Sequence, residues 1–201
     1  MIFSDMKKTL YVAILFLVLG FTYLPKINNL RIKNEPQIIW STSQLSWDNF
    51  QGRMKKSAPY DAVTLSAVSN GFSGDNSQLN FIVKALFFPK GSKKKAGRLT
   101  NELLKHEQGH FDITEIYARK LRQSLQIKKY KNYKLIGKDV DKIYDRNNLE
   151  WRQFQNSYDK ETDHSKNKNK QLEWNEKIQN LLIKLDGFKT TDFEIDINYL
   201  K

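Results

Sequence analysis

The order of apolar and polar residues divides the chain into an apolar N-terminal run, a strand-like region and a helical region. Residues 9–24 are uncharged and mostly apolar. Segments rich in β-branched and aromatic residues at 38–40, 62–68 and 79–88 predict strands. The last two flank 70–75, whose glycines favour a hairpin loop. We therefore predict a small antiparallel sheet.

Downstream of these strands the composition changes to helix formers such as Leu, Lys, Glu, Gln and Arg. Apolar residues recur there at spacings of three and four, which predicts one long amphipathic helix at 98–126. After a loop at 131–137, a second apolar stripe at 140–158 predicts another helix, and 172–185 predicts a third. The expected fold class is α+β, with a small antiparallel sheet followed by a long helix and further C-terminal helices.

The apolar N-terminal run bears on location. Lys7 and Lys8 precede it, as in export signals, but no Ala-x-Ala cleavage site follows it. Residues 1–26 therefore fit a signal peptide or an N-terminal membrane anchor equally well. The polar, basic stretch 27–36 is a predicted linker, and 37–201 is a predicted single domain. We expect the protein in the cell envelope, where it is periplasmic, secreted or anchored by its N-terminal segment.

Charge and composition narrow the class of function. The chain has 34 Lys and Arg against 22 Asp and Glu, a formal net charge of +12. This charge is widely spread, and the short lysine run at 93–95 lacks the interleaved aromatic residues of a nucleic-acid surface, so we expect no specific nucleic-acid partner. The chain has no cysteine, which excludes disulfides, cysteine-based zinc sites and a thiol nucleophile.

The first predicted helix contains the motif His106-Glu-Gln-Gly-His110. Residues four apart share a helix face, so both imidazoles can bind one metal ion. Zn²⁺ suits nitrogen ligands in a tetrahedron that leaves one position for water. In enzymes with the His-Glu-x-x-His motif, the carboxylate accepts a proton from the attacking water, so Glu107 is the predicted catalytic residue. The motif predicts a zinc-dependent metallopeptidase domain at 37–201.

The third zinc ligand has two candidates on the second predicted helix. His164 is the third of the 3 histidines in the chain, and a catalytic zinc site can use three. Glu161 lies nearer to the buried face of that helix, so it is an alternative ligand or a hydrogen-bond partner of a zinc-bound imidazole. We favour a metal site of His106, His110 and His164.

Other polar residues near these candidates have supporting roles. Tyr158 is a candidate oxyanion donor through its hydroxyl, although packing in the core suits it better. Asp112 and Glu115 turn away from the zinc face of an ideal helix, so we expect both in solvent.

Three separated segments resemble the DUF922 family of bacterial predicted secreted zinc-dependent proteases. The segments are Leu45-Ser-Trp-Asp-Asn-Phe-Gln-Gly52, the stretch 103–119 around the zinc motif, and Tyr158-Asp-Lys-Glu-Thr-Asp-His-Ser165. The central segment is the most specific because it extends well past the bare motif. The resemblance implies export, a zinc site at His106 and His110, Glu107 as catalytic carboxylate, and a role for 161–164. It implies no particular substrate.

The residues and the resemblance together predict an exported metallopeptidase that hydrolyses peptide bonds with zinc-activated water. Its expected partners are a peptide or envelope-protein substrate and, if the N-terminal segment stays uncleaved, the membrane. Two alternatives remain open: an envelope metal-dependent amidase acting on a non-peptide substrate, and a non-catalytic zinc-containing binding protein.

Overall fold

The computed structural model describes residues 11–12 and 35–200. The predicted signal or anchor at 1–26 and the linker at 27–36 lie outside the described residues, except for 11–12 and 35–36. In the described part of the chain, no helix is both long enough and apolar enough to cross a membrane.

The strands form two sheets. They are β1 (Tyr11–Val12), β2 (Ile38–Ile39), β3 (Gly52–Arg53), β4 (Ala62–Val63), β5 (Ser66–Gly74), β6 (Gln78–Phe87), β7 (Lys93–Lys94) and β8 (Asp192–Asp196). The larger sheet is antiparallel, with the order β1-β5-β6-β2, and β8 pairs with the first half of β6. The smaller sheet has the order β3-β7-β4, with β3 parallel and β4 antiparallel to β7.

The prediction of a hairpin loop at 70–75 is wrong. The strand continues to Gly74, which pairs with Leu79, and the turn lies at 75–77. There the Asp75 carboxylate accepts hydrogen bonds from the Ser77 backbone at 2.7 Å and the Gln78 backbone at 3.0 Å. Asp closes such turns by accepting hydrogen bonds from the backbone that follows it, so the turn forms at Asp75 and both glycines stay within the strand.

Three α-helices follow the strands: α1 (Asn101–Ile127), α2 (Ile136–Thr162) and α3 (Lys168–Lys184). Helix α1 begins three residues after its predicted start because the Thr100 side chain accepts a hydrogen bond from the Leu103 backbone at 3.1 Å and caps the helix. The predicted α+β fold class is confirmed.

The motif helix α1 lies in the centre of the molecule. One side of α1 packs on the larger sheet, where alternate residues of β6 such as Phe81 and Val83 are buried. Its other side is covered by α2 and α3, which bury Trp151 and Trp174. The sheet on one side and the two helices on the other thus bury most residues of α1 from His106 onward.

The expectation that Asp112 and Glu115 lie in solvent is wrong, since both are buried. Asp112 accepts hydrogen bonds from Trp40 Nε1 at 2.7 Å and Gln108 Nε2 at 2.8 Å. Burial raises the pKa of the Asp112 carboxyl. The bond from Trp40 attaches the segment between β2 and β3 to α1.

Candidate metal centre

The two histidines of the motif face one oxygen atom. His106 and His110 lie one turn apart on α1, with ring centroids 4.9 Å apart. Their Nε2 atoms are 3.2 Å and 3.0 Å from Oδ1 of Asp159 on α2. The ligand atoms of the three residues all lie within 4.8 Å of one another, so this group could hold a metal ion.

Sequence reasoning missed Asp159. It follows Gln155 by one helical turn and borders the apolar stripe of α2, next to Tyr158. The available signal was that polar residues, Gln155 and Asp159, lie at the edge of the apolar stripe of α2. That signal does not say which helix the carboxylate faces.

A glutamine side chain fixes the proton position on His110. Gln155 Nε2 donates to the His110 carbonyl at 2.9 Å, so Gln155 Oε1 is the atom that lies 2.6 Å from His110 Nδ1. Because that oxygen can only accept, Nδ1 carries the proton and the neutral imidazole keeps a lone pair on Nε2.

A second glutamine does the same for His106. Gln171 Nε2, on α3, donates to Asn175 Oδ1 at 2.8 Å, which leaves its Oε1 to accept from His106 Nδ1 at 2.9 Å. Both imidazoles therefore present Nε2 to the Asp159 carboxylate. Such orientation by outer partners is typical of metal-binding histidines.

The converging lone pairs and carboxylate favour a cation between them. Burial alone would lower the pKa of His110, but the charge and hydrogen bond of Asp159, with smaller contributions from Glu107 and Gln155, raise it to about 9. Burial acts to raise the pKa of Asp159, and the two histidines outweigh it and hold that pKa well below its usual range. The site therefore stabilises one positive charge, which a proton or a metal ion can supply.

Glu107 lies beside this cluster. Its side chain is buried, and Oε2 accepts a hydrogen bond of 2.7 Å from the Thr64 hydroxyl, just after β4. Both residues line a cavity of about 340 Å³ that also contains His106, His110, Asp159 and His164. The carboxylate is thus held in place at the wall of a cavity that solvent-sized molecules can enter.

The predicted third ligand, His164, reaches the same cavity through an unusual backbone. Asp163, His164 and Ser165 have φ angles of 46°, 51° and 75°, the left-handed region that non-glycine residues rarely adopt. This turn places His164 Nδ1 3.3 Å from Asp159 Oδ1 and its ring 4.7 Å from that of Tyr60. His164 therefore lies next to the cluster of three without being part of its closest group.

The alternative ligand, Glu161, is not brought to the cluster. Its Oε2 accepts a hydrogen bond of 2.9 Å from Trp174 Nε1 on α3. Its carboxylate is also not among the groups that line the cavity.

Tyr158 is a buried packing residue at the centre of the site. Its ring stacks on that of His106 at 4.6 Å, and its hydroxyl donates to the His106 carbonyl at 3.1 Å and accepts from Gln171 Nε2 at 2.7 Å. Burial raises the pKa of this hydroxyl above its ordinary value. Its only hydrogen is already donated, so the geometry favours packing over the candidate role as oxyanion donor.

Comparison with known proteins supports the resemblance seen in the sequence. Residues 88–165 match the model of a family described as "Bacterial protein of unknown function (DUF922)". This stretch contains the motif of α1 as well as Asp159 and His164. No curated protein and no solved structure matches the chain.

Proposed function

We propose that this chain, through its DUF922 segment, is an exported zinc-dependent metallopeptidase. The observation that carries the proposal is the meeting of two imidazole Nε2 atoms and the Asp159 carboxylate beside the buried Glu107, at the wall of one cavity. Export rests on the sequence of residues 1–26 alone.

We infer that His106, His110 and Asp159 hold the ion. Two nitrogens and one carboxylate oxygen form a donor set typical of catalytic zinc, which keeps its fourth position open. Bound there, zinc supplies a water molecule that is activated near neutral pH. His164 contacts the same Asp159 oxygen and is the alternative third ligand, so the variants below are chosen to separate the two residues.

Glu107 is the proposed general base. Its carboxylate accepts the proton of the attacking water and then delivers it to the leaving amine. The Thr64 hydroxyl holds Oε2, which keeps the carboxylate directed along the cavity wall rather than free to rotate. Burial strengthens such interactions because little water competes with them.

A peptide substrate suits the open edge of the smaller sheet. Strand β4 lines the cavity and, within residues 35–200, pairs with β7 on one side only. Unpaired backbone groups of an edge strand can bond an extended peptide. We propose that the substrate lies along β4 with its scissile bond at the metal.

Zinc stoichiometry paired with peptide-library cleavage tests this function on the purified full chain. We expect one zinc per wild-type chain, loss of zinc in His106→Ala and Asp159→Ala, and retained zinc without cleavage in Glu107→Gln. Glu161→Ala is the matched control, since this carboxylate lies on the same helix as Asp159 but bonds Trp174. It should keep both zinc and cleavage.

The other outcomes assign different functions. A wild-type chain that binds no zinc would reject the proposal. Zinc without peptide cleavage would favour one of the two alternatives. Cleavage of cell-wall amides would then identify the envelope amidase, and its absence would favour the binding protein. Zinc lost in His164→Ala but kept in Asp159→Ala would make His164 the third ligand.

A further inference from the structure

A second concave surface lies beside the metal cavity. It has a volume of about 1060 Å³ and is formed by β3, the residues after it, β7 and the segment that leads into α1. Its charged lining residues are Arg53, Lys56, Lys94, Lys95, Arg98 and Asp48. Five cations therefore face one acid in this basic groove.

Two of the five cations are held by the protein itself. Lys94 Nζ donates to the Trp47 carbonyl, and Lys95 Nζ pairs with Asp61 at 3.2 Å. Both side chains are fixed in the wall of the basic groove, so their charge is positioned rather than mobile.

The other three cations have little or no compensation. Arg53 and Lys56 are exposed and form no ion pair within residues 35–200. Arg98 lies 3.9 Å from Asp61 with 71% of its side chain exposed, a distance at which an exposed pair contributes little. A concave surface with uncompensated charges of one sign concentrates anions near it.

Arg98 connects the basic groove to the metal cavity, because it lines both. It lies two residues before the capping Thr100, which fixes the start of α1 and places His106 in the second turn. A chain that leaves the metal cavity past Arg98 therefore enters the basic groove directly.

We propose that the basic groove selects peptide substrates with acidic side chains on one side of the scissile bond. This inference rests on the proposed peptidase function and adds its substrate class. An acidic peptide is favoured over other polyanions because the groove shares Arg98 with the metal cavity, whose wall includes β4, and pairing with the backbone of β4 requires a polypeptide.

Binding to the inactive Glu107→Gln full chain, loaded with zinc, tests the proposal without turnover. The probe is a fluorescent peptide library in which half the positions are Glu, compared with the same library carrying Gln. We expect the Glu library to bind more tightly, and the preference to shrink as salt rises because exposed charges are screened. Arg53→Glu with Lys56→Glu should weaken Glu-library binding by about tenfold or more.

Lys131→Glu with Lys134→Glu is the matched control. These exposed lysines follow the far end of α1, about 40 Å along its axis from Arg98, and give the same change in net charge. The control should leave binding of the Glu library nearly unchanged. Equal weakening by both pairs would show a general field effect and overturn the proposal, as would equal affinity for the two libraries.

Two further measurements test the ligand class and separate this proposal from the proposed peptidase function. Inorganic polyphosphate that binds the groove more tightly than the Glu library would overturn the acidic-peptide class in favour of another polyanion. In the wild type, cleavage without preference for Glu would reject the groove but keep the peptidase. Charge-dependent binding of the Glu library without cleavage would reject the peptidase and leave a groove that binds acidic peptides.

Discussion

Each histidine of the candidate metal centre is oriented by a glutamine from a different helix, His110 by Gln155 from α2 and His106 by Gln171 from α3. Removing the Gln155 amide leaves His110 Nδ1 without its acceptor, so the ring can turn and carry its proton on either nitrogen. We predict that Gln155→Leu lowers zinc affinity by about 10–100-fold, the usual effect of losing an outer partner. Competition with a chelator of known affinity measures this change.

Gln153→Leu controls for the loss of a glutamine on the same helix, since Gln153 is exposed. It should bind zinc as the wild type does. Unchanged zinc affinity in Gln155→Leu would show that the imidazole is oriented by the protein in another way.

The pair of His110 and Asp159 predicts how metal-free protein responds to pH. The folded pKa of His110 is raised from 6.5 to about 9, mainly by Asp159 acting against burial. A raised pKa contributes stability that is complete below the unfolded value and is lost as pH rises through the folded value. We predict that the Tm of chelator-treated protein falls between about pH 6.5 and 9.

Asp159→Asn should flatten that fall, because the charge that raises the His110 pKa is then absent. Zinc should also remove it, since bound imidazoles are neutral at their ligand nitrogen and cannot take up the proton. Thermal unfolding across this pH range, with and without chelator, checks both. A fall of equal size in Asp159→Asn would assign the dependence to other groups.

Residues of the motif were predictable because helix geometry alone brings His106 and His110 together and sets Glu107 beside them. Asp159 and Gln171 were not predictable, because they meet the motif only after α2 and α3 pack on α1. Local spacing contains no information on that packing, which is why the sequence favoured His164 as third ligand, kept Glu161 as the alternative and did not identify Asp159.

At the scale of elements, α1 and α2 are in close contact at Gly109. A Cβ atom at this position would overlap the Tyr158 hydroxyl and lie 2.8 Å from its Cζ atom. We predict that Gly109→Ala destabilises the fold by about 1–3 kcal/mol, as overpacking does, and weakens zinc binding by moving the ring stacked on His106. Urea unfolding and zinc titration measure the two effects.

Gly137→Ala is the matched control in the first turn of α2, where an added Cβ meets nothing within 4 Å. Alanine is the better helix former, so this variant should be neutral or more stable by up to about 1 kcal/mol. If Gly109→Ala were equally harmless, Tyr158 would have room to move and the close approach would not hold the site.

Element boundaries show what periodicity predicts and where it stops. The long helices follow from apolar spacing, and their ends depend on single side chains such as the capping Thr100. Two features had weak signals: β8, whose alternation spans only five residues, and the left-handed turn at 163–165, which contains no glycine. That turn is the element that redirects His164 into the cavity.

At the scale of the whole molecule, buried Arg122 joins the layers around α1. Its guanidinium donates to the Val83 carbonyl of β6 at 2.9 Å and 3.0 Å, to Glu115 at 2.9 Å, and to the Phe188 carbonyl beyond α3 at 3.0 Å. Arg119 also donates to Glu115 at 2.9 Å. Glu115 is thus the buried carboxylate shared by two buried cations, and an exposed one, Asp186, lies 3.8 Å from Arg119. Together these groups connect the sheet, the motif helix and the C-terminal segment.

Removing that carboxylate should therefore affect the entire fold. In Glu115→Ala, buried Arg122 loses its carboxylate partner and buried Arg119 keeps only Asp186 at 3.8 Å, and breaking a buried ion pair in this way costs about 3–5 kcal/mol. We predict a loss of unfolding free energy of that size by urea denaturation, against little change in Glu176→Ala, an exposed carboxylate on α3. The hydrogen bonds of the Glu115 carboxylate go to Arg119 and Arg122 rather than to the proposed ligands, so the folded fraction should still bind zinc with wild-type stoichiometry. A loss below about 1 kcal/mol would mean that water or another acceptor reaches the arginines. Zinc loss in folded protein would instead mean that the layers around α1 and the metal site share a single structural unit.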